Sequence, residues 1–123
     1  MPKLILLARV GAGLVALSIV VLSLVPGSMR PHILRNDHLE HFAAYLAVAS
    51  LWAVGNRRSG QLLASGLLLA ACAGLLEVAQ LWIPGRTASI VDFASSAIGG
   101  SVGLLLAIGA RRAYDFAFII SYE

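Results

Sequence analysis

Apolar residues fall along this chain in long blocks separated by short polar segments. Read at helical pitch, the blocks predict four helices, over residues 4–25, 39–54, 61–83 and 90–110. At 1.5 Å of rise per residue, the first, third and fourth are long enough to cross roughly 30 Å of hydrocarbon. The second is shorter. It spans only if its polar start, Asp37 to His41, lies at the interface or inside the bundle. There are no coiled-coil heptads, no solenoid repeat and no low-complexity tract. The expected fold is all-α. Residues 1–123 form a single domain of a polytopic membrane protein, a compact bundle of four transmembrane helices.

Composition strengthens the membrane reading. The chain has 123 residues, of which 59% are hydrophobic and 12% charged. A soluble domain is about one-quarter charged. Lys3 and Arg9 precede an apolar run, as in a signal peptide, but no small-x-small cleavage pattern precedes Pro26, so a retained helix is expected. Lys3, Arg9, Arg57, Arg58, Arg111 and Arg112 mark the N-terminus, second loop and C-terminus as cytoplasmic. Arg30, Arg35 and Arg86 fall on the opposite side. The net charge of +3 is thus a topology signal first, and its scatter over helix ends makes a nucleic-acid surface a poor reading. Cys72 is the single cysteine, so there is no disulfide framework and no CxxC metal spacing. The tail from Tyr114 holds an apolar run too short to span, and is placed in the interface.

The polar residues inside the apolar blocks carry the candidate chemistry. Glu77 stands in the run from Leu67 to Ile83. A charged side chain at a bilayer centre costs roughly 2.5–3.5 kcal/mol, so it pairs with something or does something. Because alternate helices run in opposite directions, the start of helix 2, the end of helix 3 and the start of helix 4 share one face. Asp37, His41 and Tyr45 are spaced i, i+4, i+8 and form one stripe. Glu77 and Gln80 are spaced i, i+3, and Asp92 and Ser96 i, i+4. Together with Arg86, these stripes would line a cavity open to the outside. Ser95, Gly99 and Gly103 put a groove of small residues along helix 4, and Gly74 offers the same beside Glu77.

Structural roles compete with functional ones. Asp37 with Glu40, and Ser89 with Asp92, resemble capping boxes, which would satisfy free N–H groups and the helix dipole. His38 reads as an interfacial residue, and Tyr45 and Trp82 as aromatic-belt anchors. Arg86 would snorkel to headgroups. Arg57, Arg58, Arg111 and Arg112 read as topology signals and nothing more. Glu77 has the weakest structural alternative, a buried pair with His41 or Arg86.

The pattern Asp37-His-x-x-His41-Phe42-x-x-Tyr45, followed by Glu77-x-x-Gln80-x-x-x-Pro84-Gly85-Arg86-Thr87-Ala88-Ser89-x-x-Asp92, resembles the VanZ-like family of small integral membrane proteins. The likeness runs from Asp37 to Gly103. It implies a multi-pass protein of the bacterial inner membrane. The name-giving member is associated with low-level resistance to the glycopeptide antibiotic teicoplanin. The family often has Lys where this chain has His38, and Asn where it has Ser96.

Two function classes follow. In the first, the outward-facing cluster binds or modulates a cell-envelope lipid, a glycan precursor or a glycopeptide. Arg86 holds a phosphate or carboxylate, while Gln80, Tyr45, Asp92 and Ser96 complete the binding residues. In the second, the protein is an intramembrane enzyme acting on a lipid-linked envelope substrate. Glu77 or Asp37 is then the general base and His41 its partner. A divalent metal held by Asp37, His41, Glu77 and Asp92 would suit the hard carboxylates, but no HExxH-like pair is present, so metal use ranks low and no metal or other cofactor is assigned. The expected partners are membrane lipids and such a precursor or glycopeptide, with homo-oligomerisation left open. A transporter is disfavoured, because four helices make a small protomer with no inverted repeat.

Overall fold

The computed structural model describes residues 2–56 and 58–120; Met1, Arg57 and the last three residues lie outside it. Helix α1 covers Pro2–Leu24 and leads into a 3-10 turn at Gly27–Met29; α2 covers Asp37–Gly55, α3 Ser59–Gln80 and α4 Ile90–Ile120. The fold of the described residues is all-α. Three segments, Pro2–Leu24, Gly60–Gln80 and Ile90–Asp115, are long and apolar enough to cross a membrane. Helix α2, with Asp37, His38, Glu40 and His41 in its first turns, does not join them.

Helix α2 is nevertheless the centre of the bundle. It packs against α4 and α1, and touches α3, its neighbour in sequence, only slightly. The buried positions are mostly small: Ala8, Ala12, Ala49, Ala53, Ala73 and Ala107. The large apolar side chains point outward instead, among them Leu7, Leu14, Leu63, Leu75 and Leu105. Small residues inside let helix backbones approach, and large ones outside suit an apolar surrounding.

The closest approach is between α2 and α4. A Cβ at Gly99 would collide with the Phe42 carbonyl oxygen, and one at Gly103 would lie 2.5 Å from that of Leu46. Ser50 Oγ reinforces the contact by donating to the Gly103 carbonyl oxygen at 3.3 Å. The expected small-residue groove on helix 4 is thus occupied by the α2 backbone. Gly74 packs more loosely, with its missing Cβ 3.5 Å from the Phe93 ring.

Three boundaries differ from expectation. Helix α2 begins at Asp37, and its N-cap is Asn36, whose side chain accepts from the N–H groups of His38 and Leu39. Asp37 therefore caps nothing, and the expected Asp37–Glu40 capping box is absent. Helix α3 stops at Gln80 rather than 83. There Leu81, Trp82 and Ile83 donate to carbonyls three residues back, each at 3.1 Å, which tightens the last turn before Pro84. Helix α4 runs on to Ile120. No Gly or Pro lies between Gly109 and Ile120 to break it, so residues 114–120 continue the helix.

The basic end of the bundle is tied together by hydrogen bonds. Arg9 Nε donates to the Gly55 carbonyl oxygen at 2.8 Å, and Arg111 Nη2 to that of Asn56 at 2.9 Å. Both cations meet the negative end of the α2 dipole and its unpaired carbonyls. Arg111 thus has a local role besides any topological one.

The α2–α4 approach makes a direct prediction. Gly99→Ala should lower stability by about 1–3 kcal/mol, because the obstacle is backbone and cannot rotate away. Gly13→Ala, with nothing within 4 Å of its missing Cβ, should be neutral or mildly stabilising. Thermal unfolding in detergent compares the two, and equal midpoints would refute the close-packing account.

Candidate functional site

At the end of the bundle opposite Arg9 and Arg111, the start of α2, the end of α3 and the start of α4 meet. The sequence stripes converge there, though not uniformly. Glu77 is 7% exposed, Gln80 3% and Ser96 1%, and all three face the interior. Donor atoms of His41, Glu77 and Asp92 lie within 4.8 Å of one another. Ser96 Oγ is 3.3 Å from His41 Nδ1. His41 Nε2 is 4.0 Å from Asp92 Oδ2, too long for a hydrogen bond.

Each member of this trio is held from behind by a neighbour. The backbone N–H of Ser89 donates to Glu77 Oε2 at 2.9 Å. The Ser89 hydroxyl in turn accepts from the Asp92 N–H at 3.2 Å, which caps α4. In a capping box the side chain of Asp92 would return to the Ser89 N–H. Glu77 has taken that role, so only half the expected box forms and the Asp92 carboxylate is free. It turns to His38, whose Nδ1 donates to Asp92 Oδ1.

Asp37 stands apart from this group. Its carboxylate is half-exposed and faces Arg30 at 3.8 Å and His32 at 3.4 Å. Glu40 anchors the preceding loop. It accepts from Arg30 Nη2 and from the N–H groups of Ile33 and Leu34, all at 2.6 Å. The stripe of Asp37, His41 and Tyr45 therefore divides: Asp37 serves the loop, while the other two face inward.

Arg86 is also engaged within the protein. Its Nε donates to the Val25 carbonyl oxygen at 3.1 Å and its Nη2 to that of Leu22. It thus caps the C-terminal end of α1. Burial first, and Arg30 second, hold its pKa below the ordinary arginine value, while Asp37, Glu77 and Glu40 oppose the shift. The loop carrying it is docked by Gly27, whose N–H donates to the Pro84 carbonyl oxygen at 3.1 Å. Gly85 supplies the turn with a φ of +73°, a conformation that favours glycine.

Two of the hollows at this end involve His41 and Gln80. One, of about 270 Å³, is a mainly apolar slot between α1 and α2, with Val15, Ile19, Leu22 and Ala44 among its lining residues. Its polar end presents Glu40, His41, Tyr45, Gln80 and Arg86. The other, of about 120 Å³, is polar and is shared by His41, Gln80, Arg86 and Asp92. Tyr45 is 4% exposed and lines the slot, so it is not an aromatic-belt residue. Trp82, at 75% exposed, is free to be one. His38 is the site residue that sequence reasoning passed over. It lies off the 37/41/45 stripe, so helical periodicity gave no reason to place it beside Asp92.

The position of Arg86 predicts a structural role that can be measured apart from any binding. Arg86→Ala should cost about 2–3 kcal/mol of stability by removing two charge-assisted hydrogen bonds from the α1 terminus. A thermal midpoint unchanged from wild type would refute the capping role. Compared with protein-family models, curated proteins and solved structures, the chain matches none.

Proposed function

We propose that the protein binds a membrane amphiphile, with the apolar chain in the slot between α1 and α2 and a polar head at His41, Tyr45 and Gln80. The observation that carries this reading is the slot's two-part lining. Val15, Ile19 and Leu22 recur at helical spacing on α1, a stretch of about 10 Å at 1.5 Å per residue. At one end the lining turns polar. Ligand sites characteristically combine apolar walls with a few placed polar groups.

The head chemistry follows from which groups remain available. Arg86 and Arg30 are occupied by carbonyls and by Glu40. The Gln80 carboxamide and the Tyr45 hydroxyl make no hydrogen bond to another described residue, although both residues are buried and line the slot. They suit a head rich in hydroxyl or amide groups, as in a glycan-bearing lipid. The resemblance to VanZ-like proteins favours the same class, an envelope lipid, glycan precursor or glycopeptide. In this reading the bundle lies in the bacterial inner membrane, with the site on the outer face and both termini in the cytoplasm. Helix α2 crosses as a fourth span, its polar start shielded by α1 and α4.

A second reading has its own observation. Glu77 and His41 lie within 4.8 Å of each other with Asp92 beside them, a spacing suited to acid–base work on a lipid-linked substrate.

Mass spectrometry of lipids retained by the detergent-purified protein tests the main reading. Wild type should carry a glycan- or amide-headed amphiphile near one per chain. Ile19→Trp, which fills the slot, should reduce it at least 10-fold. Equal retention by both would refute slot binding. A modified lipid that accumulates in cells with wild type, and not with Glu77→Gln, would favour the enzyme.

A further inference from the structure

We propose that His41, Glu77 and Asp92 hold a single divalent transition cation of the zinc class at the junction of α2, α3 and α4. This inference shares His41 and Gln80 with the lipid reading, but it concerns a different chemistry and is tested by metal binding alone.

The electrostatics of the trio call for a cation. Glu77 and Asp92 bring two carboxylates within 4.8 Å of each other, in a setting where Glu77 is 7% exposed and the Asp92 side chain 13%. Among the described residues, neither carboxylate has a lysine or arginine within salt-bridge distance; only the His38 and His41 rings reach Asp92. Arg86 lines the adjoining hollow, but its guanidinium is turned to the α1 carbonyls. Like charges held so close in a poorly solvated place repel strongly, and a cation between them relieves that repulsion.

The geometry suits ligation. With His41 Nδ1–H donating to the Ser96 hydroxyl, Nε2 keeps its lone pair on the side of Asp92 Oδ2, 4.0 Å away. That gap exceeds a hydrogen bond, and two metal–ligand bonds of about 2.1 Å span a similar distance. Small side-chain rotations bring the three donor atoms to the roughly 3.4 Å separations of a tetrahedral site. Each ligand also has the outer support that metal sites use: Ser96 behind His41, His38 behind Asp92 and the Ser89 N–H behind Glu77.

Gln80 is the independent observation. It is 3% exposed, its carboxamide makes no hydrogen bond to another described residue, and it lines the polar hollow with His41 and Asp92. Because no fully enclosed side-chain nitrogen or oxygen among the described residues lacks a partner, the carboxamide opens onto that hollow, where a metal-bound water or the ion itself would give it one.

The donor set selects the ion. One imidazole nitrogen with two carboxylate oxygens favours zinc or a neighbouring transition ion over calcium or magnesium, which take all-oxygen sites. The other acidic group, His32, Asp37 and Glu40, is a poorer candidate. Arg30 already sits on both of its carboxylates, and Glu40 is further occupied by two backbone N–H groups.

The test uses the full chain in detergent, stripped with a chelator and titrated with Zn²⁺ against a chromophoric competitor. Wild type should bind one zinc per chain with a Kd below about 1 μM and gain thermal stability on binding. Asp92→Asn and Glu77→Gln should weaken binding at least 100-fold. Ser96→Ala, a milder change, should weaken it about 10–100-fold through the orientation of His41. His32→Ala should leave it unchanged. Should the carboxylate variants fail to fold, Co²⁺-loaded wild type and the Ser96→Ala comparison still decide, since a nitrogen–oxygen site gives visible ligand-field bands. Failure of wild type to bind zinc stoichiometrically, or binding unaltered by Asp92→Asn or by Ser96→Ala, would overturn the proposal.

Discussion

The absence of side chains at Gly99 and Gly103 governs the rest of this bundle. It lets α4 lie directly against the carbonyl oxygens of Phe42 and Leu46 on α2. At that separation polar residues within two turns of the contact come together across the helices. His41 reaches Ser96, and His38 reaches Asp92. Bulkier residues would hold the helices further apart and separate these pairs. A packing device common in membrane helices thus also assembles the candidate site.

Glu77 illustrates how a carboxylate is retained in an apolar helix. It lies in the last turn of α3, where the chain is about to leave the helix through Pro84 and Gly85. The start of α4 returns close enough for the Ser89 N–H to reach it. One buried group therefore both joins two helices and satisfies a backbone donor that α4 leaves unpaired. The same substitution of roles frees Asp92, which α4 would otherwise use to cap itself. What looks like two separate capping arrangements is one network, with its surplus negative charge directed at His41.

The arginines show a complementary economy. Arg9 and Arg111 both donate to carbonyls at the C-terminal end of α2, and Arg86 donates to those at the end of α1. Helix C-termini expose carbonyl groups that have no partner in their own helix, and they carry the negative end of the dipole. A guanidinium meets both needs and can serve two carbonyls at once. Residues that read in sequence as topology markers or headgroup ligands are, in the folded chain, also clasps between helix ends.

Much of this was determined by the sequence alone, because it depends on local periodicity. The four helices, the inward stripes of Glu77 with Gln80 and of Asp92 with Ser96, and the small-residue face of α4 follow from spacing along one helix. The exposed leucines of α1, α3 and α4 follow from composition. Only the tertiary structure decided which stripes meet. Asp37 shares a helical face with His41, yet Arg30 and His32, from the preceding loop, draw it away. Arg86 lies beside the candidate site in sequence, yet its guanidinium is used more than 60 residues upstream, at Val25. His38 lies off the stripe and is nonetheless bonded to Asp92. Helical pitch specifies which residues share a face; pairing across helices depends on backbone separation and loop path, which no local pattern encodes.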